Sequence, residues 1–190
     1  MTYMIFVIRY NKLRSMQTFL FILQAVMSGT LFVNKLLVFK DKKVGWLIGA
    51  FGTILATIYL WLIGIRVMAI CEIGLLILMI YGYSVRKTPS PRVEWTIRLT
   101  TIATALVLTY FTFSGLLKIV ECLASVFMIF GAYALTHKRK PMGWFFWLLC
   151  HIGSAWVTWN MPDQHIFTDS QLASALVALT AWILLVMPKR

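Results

Sequence analysis

Lys40-Asp41-Lys42-Lys43-Val44-Gly45-Trp46 and Lys138-Arg139-Lys140-Pro141-Met142-Gly143-Trp144 are two versions of one basic Gly-Trp element, set 98 residues apart. The same offset pairs Phe32 with Phe130, Leu37 with Leu135, Ile54 with Ile152 and Trp61 with Trp159. Self-similarity at one spacing over this many positions marks an internal duplication. Duplicated helical units are the usual frame of membrane transporters, whose sites lie where the copies meet.

The solvent follows from composition. Hydrophobic residues make up 61% of the 190-residue chain and charged residues 13%, too little polar surface for a water-soluble particle. The apolar runs are long enough to cross a bilayer, and only helices and closed barrels satisfy their own backbone groups there. The stretch Met1 to Ile8 is too short for a signal-peptide core, so the first span is expected to direct insertion itself. Cys71, Cys122 and Cys150 are odd in number and scattered inside apolar runs, which gives neither a disulfide framework nor a metal-ligand spacing. Neither a cofactor nor a metal is expected.

Seven apolar segments are expected as spans: 17–39, 45–65, 67–85, 96–114, 116–135, 143–159 and 169–187. Two junctions are weakly punctuated, at Gly64 to Arg66 and around Ser114 to Lys118, and a long kinked helix is the alternative at either. The stretches Arg86 to Glu94 and His137 to Met142, each with proline, are expected as loops. The offset then predicts an all-α membrane protein of seven transmembrane helices in a three-plus-one-plus-three arrangement. Its parts are a first triple-helix repeat (17–85), a linker helix (96–114) and a second, parallel triple-helix repeat (116–187).

Charge sets the expected orientation. With seven crossings one face carries 13 of the 18 basic residues, among them Lys35, Lys40, Lys42, Lys43, Lys138 and Lys140, while Arg9, Lys12, Arg14, Arg66 and Lys118 fall on the other. The positive-inside rule makes the richer face cytoplasmic, with the N-terminus outside, in a cell (inner) membrane. The net charge of +12 sits in short clusters at span ends, which suits anionic lipid headgroups and not nucleic acid. The partners expected are therefore the lipid bilayer and a small-molecule substrate, and a homo-oligomer is compatible with both.

Polar groups at mid-depth are the candidate site, because an unpaired polar group is costly in hydrocarbon and turns toward the bundle interior. Gln24, Thr53, Thr57, Glu121 and His151 satisfy this; the offset equates Thr53 with His151 and Gln24 with Cys122. Gln24, Thr53 and Thr57 serve equally well as helix-to-helix or local hydrogen bonds. Lys118 and Glu121 are spaced for a local ion pair, and Glu72 at similar depth for pairing with a neighbour. His151 is the sharper candidate, about two turns into its span, where snorkelling to water is difficult. Trp46, Trp95, Trp144, Trp61, Trp156 and Trp159 lie near span ends and read as interface anchors, whereas Trp147 and Trp182 lie deeper, where each serves either to pack helices together or to stack on a planar ring.

Lys140-Pro-Met-Gly-Trp144-Phe-Phe-Trp147, a Trp-x-x-Trp opening a span, together with Gly45-Trp46 and a third span ending Ile80-Tyr-Gly-Tyr83, resembles the PnuC-type vitamin transporters. These are similar in architecture to the SWEET sugar transporters. The resemblance implies a carrier of nicotinamide riboside, thiamine or another vitamin-sized molecule, working by facilitated diffusion with alternating access and metabolic trapping. A cationic nicotinamide or thiazolium ring would gain cation-π attraction from Trp147 or Trp182. After Trp147 this chain has Cys150 and His151, where the family commonly shows a carboxylate or carboxamide. No ATP-binding loop, ion-coupling array or catalytic motif is visible, so an enzyme is not expected, and a structural or regulatory membrane subunit is the remaining alternative.

Overall fold

A computed structural model describes residues 2–84, 91–113, 115–137 and 139–187, with the backbone alone over residues 2–14 and at scattered positions of the fourth helix. Arg86, Lys87, Pro89, Ser114, Lys138, Lys189 and Arg190, on which the loop and charge readings partly rest, lie outside the described residues. So do the side chains of Arg9, Lys12, Arg14 and Arg98. Among the described residues there are seven helices and no strand: α1 (Thr2–Phe39), α2 (Val44–Leu62), α3 (Arg66–Ser84), α4 (Pro91–Thr112), α5 (Leu116–Thr136), α6 (Lys140–Trp159) and α7 (His165–Val186). Five of them, α2, α3, α5, α7 and the part of α1 from Ser15 to Phe39, are long and apolar enough to cross a membrane. The chain is an α-helical membrane protein. Four tryptophans and His151 lower the mean hydropathy of α6, and α4 carries Arg92, Glu94 and Arg98.

The helix ends explain where hydropathy misjudged them. α1 begins well before Gln17, at Thr2, because backbone hydrogen bonding does not stop where the long apolar run does. α4 and α6 begin at Pro91 and Lys140, inside segments expected to be loops; proline is tolerated in a first turn, where its missing N–H has no helical partner to lose. The weak junction at Gly64 is a true break. Ile65 N–H bonds Leu60 C=O at 2.9 Å and Gly64 N–H bonds Trp61 C=O at 3.2 Å, the paired bonds of a Schellman turn. Gly64 takes the left-handed conformation this turn requires, with φ +84°. The other weak junction breaks at Gly115, φ +123°.

Six helices close a ring in the order α1, α2, α3, α5, α6, α7, with α7 returning to α1, while α4 packs outside against α5 and α3. Asp41, in the turn after α1, is 3.1 Å from Lys140 at the start of α6, and a Cβ added at Gly82 near the end of α3 would meet both Trp46 and Thr136. The ends of α1, α3 and α5 and the starts of α2 and α6 therefore share one face, the Gly-Trp end, and α1 runs parallel to α5 as α2 does to α6. Apolar side chains cover the outside, Phe21, Phe51, Ile77, Leu106 and Leu176 all being exposed, as a lipid-facing surface needs.

Close approach fixes α5 against α6. A Cβ at Gly143 would lie 3.0 Å from the Gly131 carbonyl oxygen, and one at Gly131 would lie 3.1 Å from the Gly143 carbonyl oxygen and strike the Trp147 ring. Gly131→Ala is thus expected to overpack the pair and to cost about 1–3 kcal/mol. Thermal unfolding in detergent checks this, with Gly29→Ala, whose Cβ meets nothing within 4 Å, as the unshifted control.

Candidate functional site

At the centre of the ring α1, α3, α5, α6 and α7 enclose a cavity of about 30 Å³. Its polar lining is Lys35, Glu72, Cys150, His151, Ser154, Gln171 and Ser174, closed by Trp147, Phe167, Leu31, Met68, Leu75 and Met128. Side chains of α1 and α3 meet those of α5, α6 and α7 here. Most polar groups in the lining are tethered. His151 Nδ1 is 2.6 Å from Gln171 Oε1; since an amide oxygen only accepts, Nδ1 donates, and the neutral ring turns an Nε2 lone pair to the interior. Ser154 Oγ is 3.8 Å from Cys150 Sγ and donates to Met68 Sδ at 3.9 Å. Two buried atoms, Glu72 Oε2 and His151 Nε2, have no hydrogen-bond partner among the described residues. A buried polar atom left unpaired costs free energy comparable to a lost hydrogen bond.

Lys35 is only 4% exposed, which removes it from the membrane-face charges among which sequence reasoning placed it. Its ammonium lies 4.0 Å from the centroid of the Trp147 ring and donates to Asn34 Oδ1 at 3.3 Å. Asn34 in turn donates to the Gly45 carbonyl oxygen at 2.8 Å, an approach that only a glycine at position 49 permits, because a Cβ there would collide with the carboxamide. The first Gly-Trp element therefore holds the lysine that covers the tryptophan of the second.

Aromatic pairs wall the central cavity on both sides. Trp144 and Trp147 are one turn apart with centroids 5.4 Å apart, edge to face. Trp147 borders the central cavity, and Trp144 borders a larger one of about 360 Å³ at the Gly-Trp end that Trp46, Asp41 and Lys140 also line. Trp46 and Trp144, expected as interface anchors, are instead buried facing this cavity, where the two Gly-Trp elements meet. Trp61, Trp95, Trp156 and Trp159 are exposed. On the opposite side Phe167 borders the central cavity and packs edge-on against Tyr59 at 5.8 Å. Tyr59 borders a third cavity of about 540 Å³ with Gln17, Phe21 and Gln164. Tyr59 Oη donates to Gln164 Oε1, and Gln24 Nε2 donates to the same oxygen at 3.2 Å.

Of the seven residues singled out from the sequence, the central cavity brings together Trp147 and His151. Gln24 belongs to the Tyr59–Gln164 bridge. Thr57 bonds the Thr53 carbonyl oxygen at 3.0 Å, and Thr53 is fully buried beside Glu72, behind the carboxyl group that lines the cavity. Trp182 packs on Phe145 at 5.5 Å, outside the cavity. Glu121 lies 2.6 Å from Lys118 and accepts the Met68 backbone N–H at 3.1 Å, satisfying an orphan donor in the first turn of α3. Sequence reasoning missed Lys35, Glu72, Gln171 and Ser174 as lining residues. Two signals were available: adjacent Asn34 and Lys35 inside an apolar run, and Gln171 and Ser174 one turn apart on one helix face.

Comparison of the chain with protein-family models, curated proteins and solved structures finds no match. The site is therefore read on its own geometry. Glu121 is a structural carboxylate in that geometry. Glu121→Ala is expected to strip the α3 donor and the Lys118 partner, costing about 2 kcal/mol of stability. Thermal unfolding measures it, and ligand affinity of the folded fraction should stay unchanged.

Proposed function

We propose that this protein is a membrane transporter for a small polar molecule, bound between the two triple-helix units of a seven-span, three-plus-one-plus-three chain. The observation that carries this reading is the central cavity itself. Five helices from both triple-helix units line it, two buried polar atoms in it have no hydrogen-bond partner, and an aromatic pair separates it from a larger cavity on each side. A structural subunit has no use for unpaired buried polar atoms at mid-depth, which only cost stability.

At about 30 Å³ the cavity holds one water molecule, so a vitamin-sized ligand requires the two halves to separate. Polar links between the halves stand at both ends. Asp41 and Lys140 join them at the Gly-Trp end, and Gln24 and Tyr59 reach Gln164 at the other. The mechanism is alternating access: opening at either end breaks the link there while the other holds, and the same ligand is exposed first to one side and then to the other. The exposed Asp41–Lys140 pair is weak enough to part on each cycle. Facilitated diffusion needs nothing further. The basic Gly-Trp end is the cytoplasmic face in this reading.

The PnuC-like motifs support a vitamin- or nucleoside-like substrate, and nicotinamide riboside and thiamine lead the panel by that resemblance. Both bring a ring cation to a cavity where Lys35 already covers Trp147, so uncharged members of the class fit the geometry better.

Uptake into proteoliposomes with nicotinamide riboside, thiamine, riboflavin and uridine, with and without an ion gradient, tests the proposal. Gradient-independent flux of at least one compound is expected. Trp147→Ala and His151→Ala should each lower it about tenfold or more, the equivalent of one lost buried contact, while Trp182→Leu leaves it unchanged. Correctly folded protein that moves none of the panel would point to a structural or regulatory subunit.

A further inference from the structure

We propose that Lys35 is a charge filter: the central cavity takes an uncharged molecule bearing hydrogen-bond donors and rejects a cation of the same shape. The inference rests on the transport reading above and names the substrate class of that same site.

The first ground is occupancy. A ring cation entering the cavity would seek the face of Trp147, and the Lys35 ammonium already lies 4.0 Å from its centroid. Lys35 is held there. Asn34 accepts from it at 3.3 Å and is itself fixed to the Gly45 carbonyl oxygen at 2.8 Å, with Gly49 leaving just enough room for the carboxamide. At 4% exposure the lysine is shielded from solvent in this seat.

The second ground is charge placement. Glu72 lines the same cavity as Lys35, so the carboxyl group that an incoming cation would seek already shares the site with the protein's own ammonium. A neutral ligand adds no charge there. A cationic ligand adds an uncompensated charge beside Lys35 at membrane depth, where desolvation is costly and repulsion is poorly screened.

The third ground is the kind of group still wanted. Glu72 Oε2 and His151 Nε2 are both buried without a hydrogen-bond partner among the described residues, and with Nδ1 donating to Gln171 the neutral imidazole accepts at Nε2. Hydroxyl or N–H groups of an uncharged ligand satisfy both. Trp147 and Phe167 both line the cavity, so the lysine restricts ligand charge without removing its aromatic walls.

Oxidised nicotinamide riboside and its reduced, dihydro form make the deciding pair, because they share size and sugar and differ in ring charge. In proteoliposomes of the wild-type protein, the reduced form and uridine are expected to move at least tenfold faster than the oxidised form. Lys35→Met removes the cation and leaves Glu72, so the ratio of reduced to oxidised flux should fall at least tenfold, while Lys35→Arg keeps it. Circular dichroism confirms folding of each variant; if Lys35→Met does not fold, the wild-type ratio and Lys35→Arg decide alone. Equal flux of both forms in the wild type, or an unchanged ratio in folded Lys35→Met, overturns the filter while leaving transport intact. Flux of no compound in folded wild-type protein overturns the transport reading and the filter with it.

Discussion

The Lys35 ammonium on the face of Trp147 is the constraint around which the centre of the molecule is arranged. A charge this deep has to be supplied with partners, and the protein draws them from three helices. Asn34 brings a carboxamide oxygen from α1 itself, Trp147 an aromatic face from α6, and Glu72 a carboxylate to the shared cavity from α3. Each demand propagates. Asn34 needs the Gly45 carbonyl oxygen and the gap at Gly49, and Trp147 needs the absence of a side chain at Gly131. The glycines flanking the tryptophans are thereby explained as the spacing that lets α1 sit on α2 and α5 on α6.

The two ends are closed by different physics. At the Gly-Trp end an exposed ion pair joins the turn after α1 to the start of α6 in front of buried tryptophans, so the polar link is screened and the closure is aromatic packing. At the other end the seal is a buried tyrosine whose hydroxyl meets a glutamine at the start of α7, with Gln24 sharing the same acceptor. Salt acts on the first link far more than on the second. This gives the two faces separate sensitivities without any difference in overall frame.

Much of the architecture was legible in the residues. Composition named the solvent, and apolar run length placed all seven helices within a few residues, apart from the extended start of α1 and the proline-led starts of α4 and α6. Helix ends depend on backbone hydrogen bonds, which hydropathy does not weigh. The site was half legible. His151 and Trp147 stood out because an ionisable group and a large aromatic deep in a span have few ordinary uses, whereas Lys35 was taken for a surface charge because it lies one turn from a span end. Glu121 carried the same sequence signal as a site carboxylate, yet its partners, Lys118 and the Met68 backbone, are structural.

By itself the sequence determined that the chain is helical, lies in a membrane and repeats a Gly-Trp element, since these follow from composition and periodicity along one dimension. Only the tertiary structure decided which way each polar residue faces. A helix places residues around a full circle, and whether a lysine one turn from its end points to headgroups or to a tryptophan on another helix depends on the neighbour packed against that side. The repeated element shows the division clearly. Its spacing was written in the chain, but the meeting of its two tryptophans across one cavity, with a lysine of the first copy seated on the second, required the ring to close.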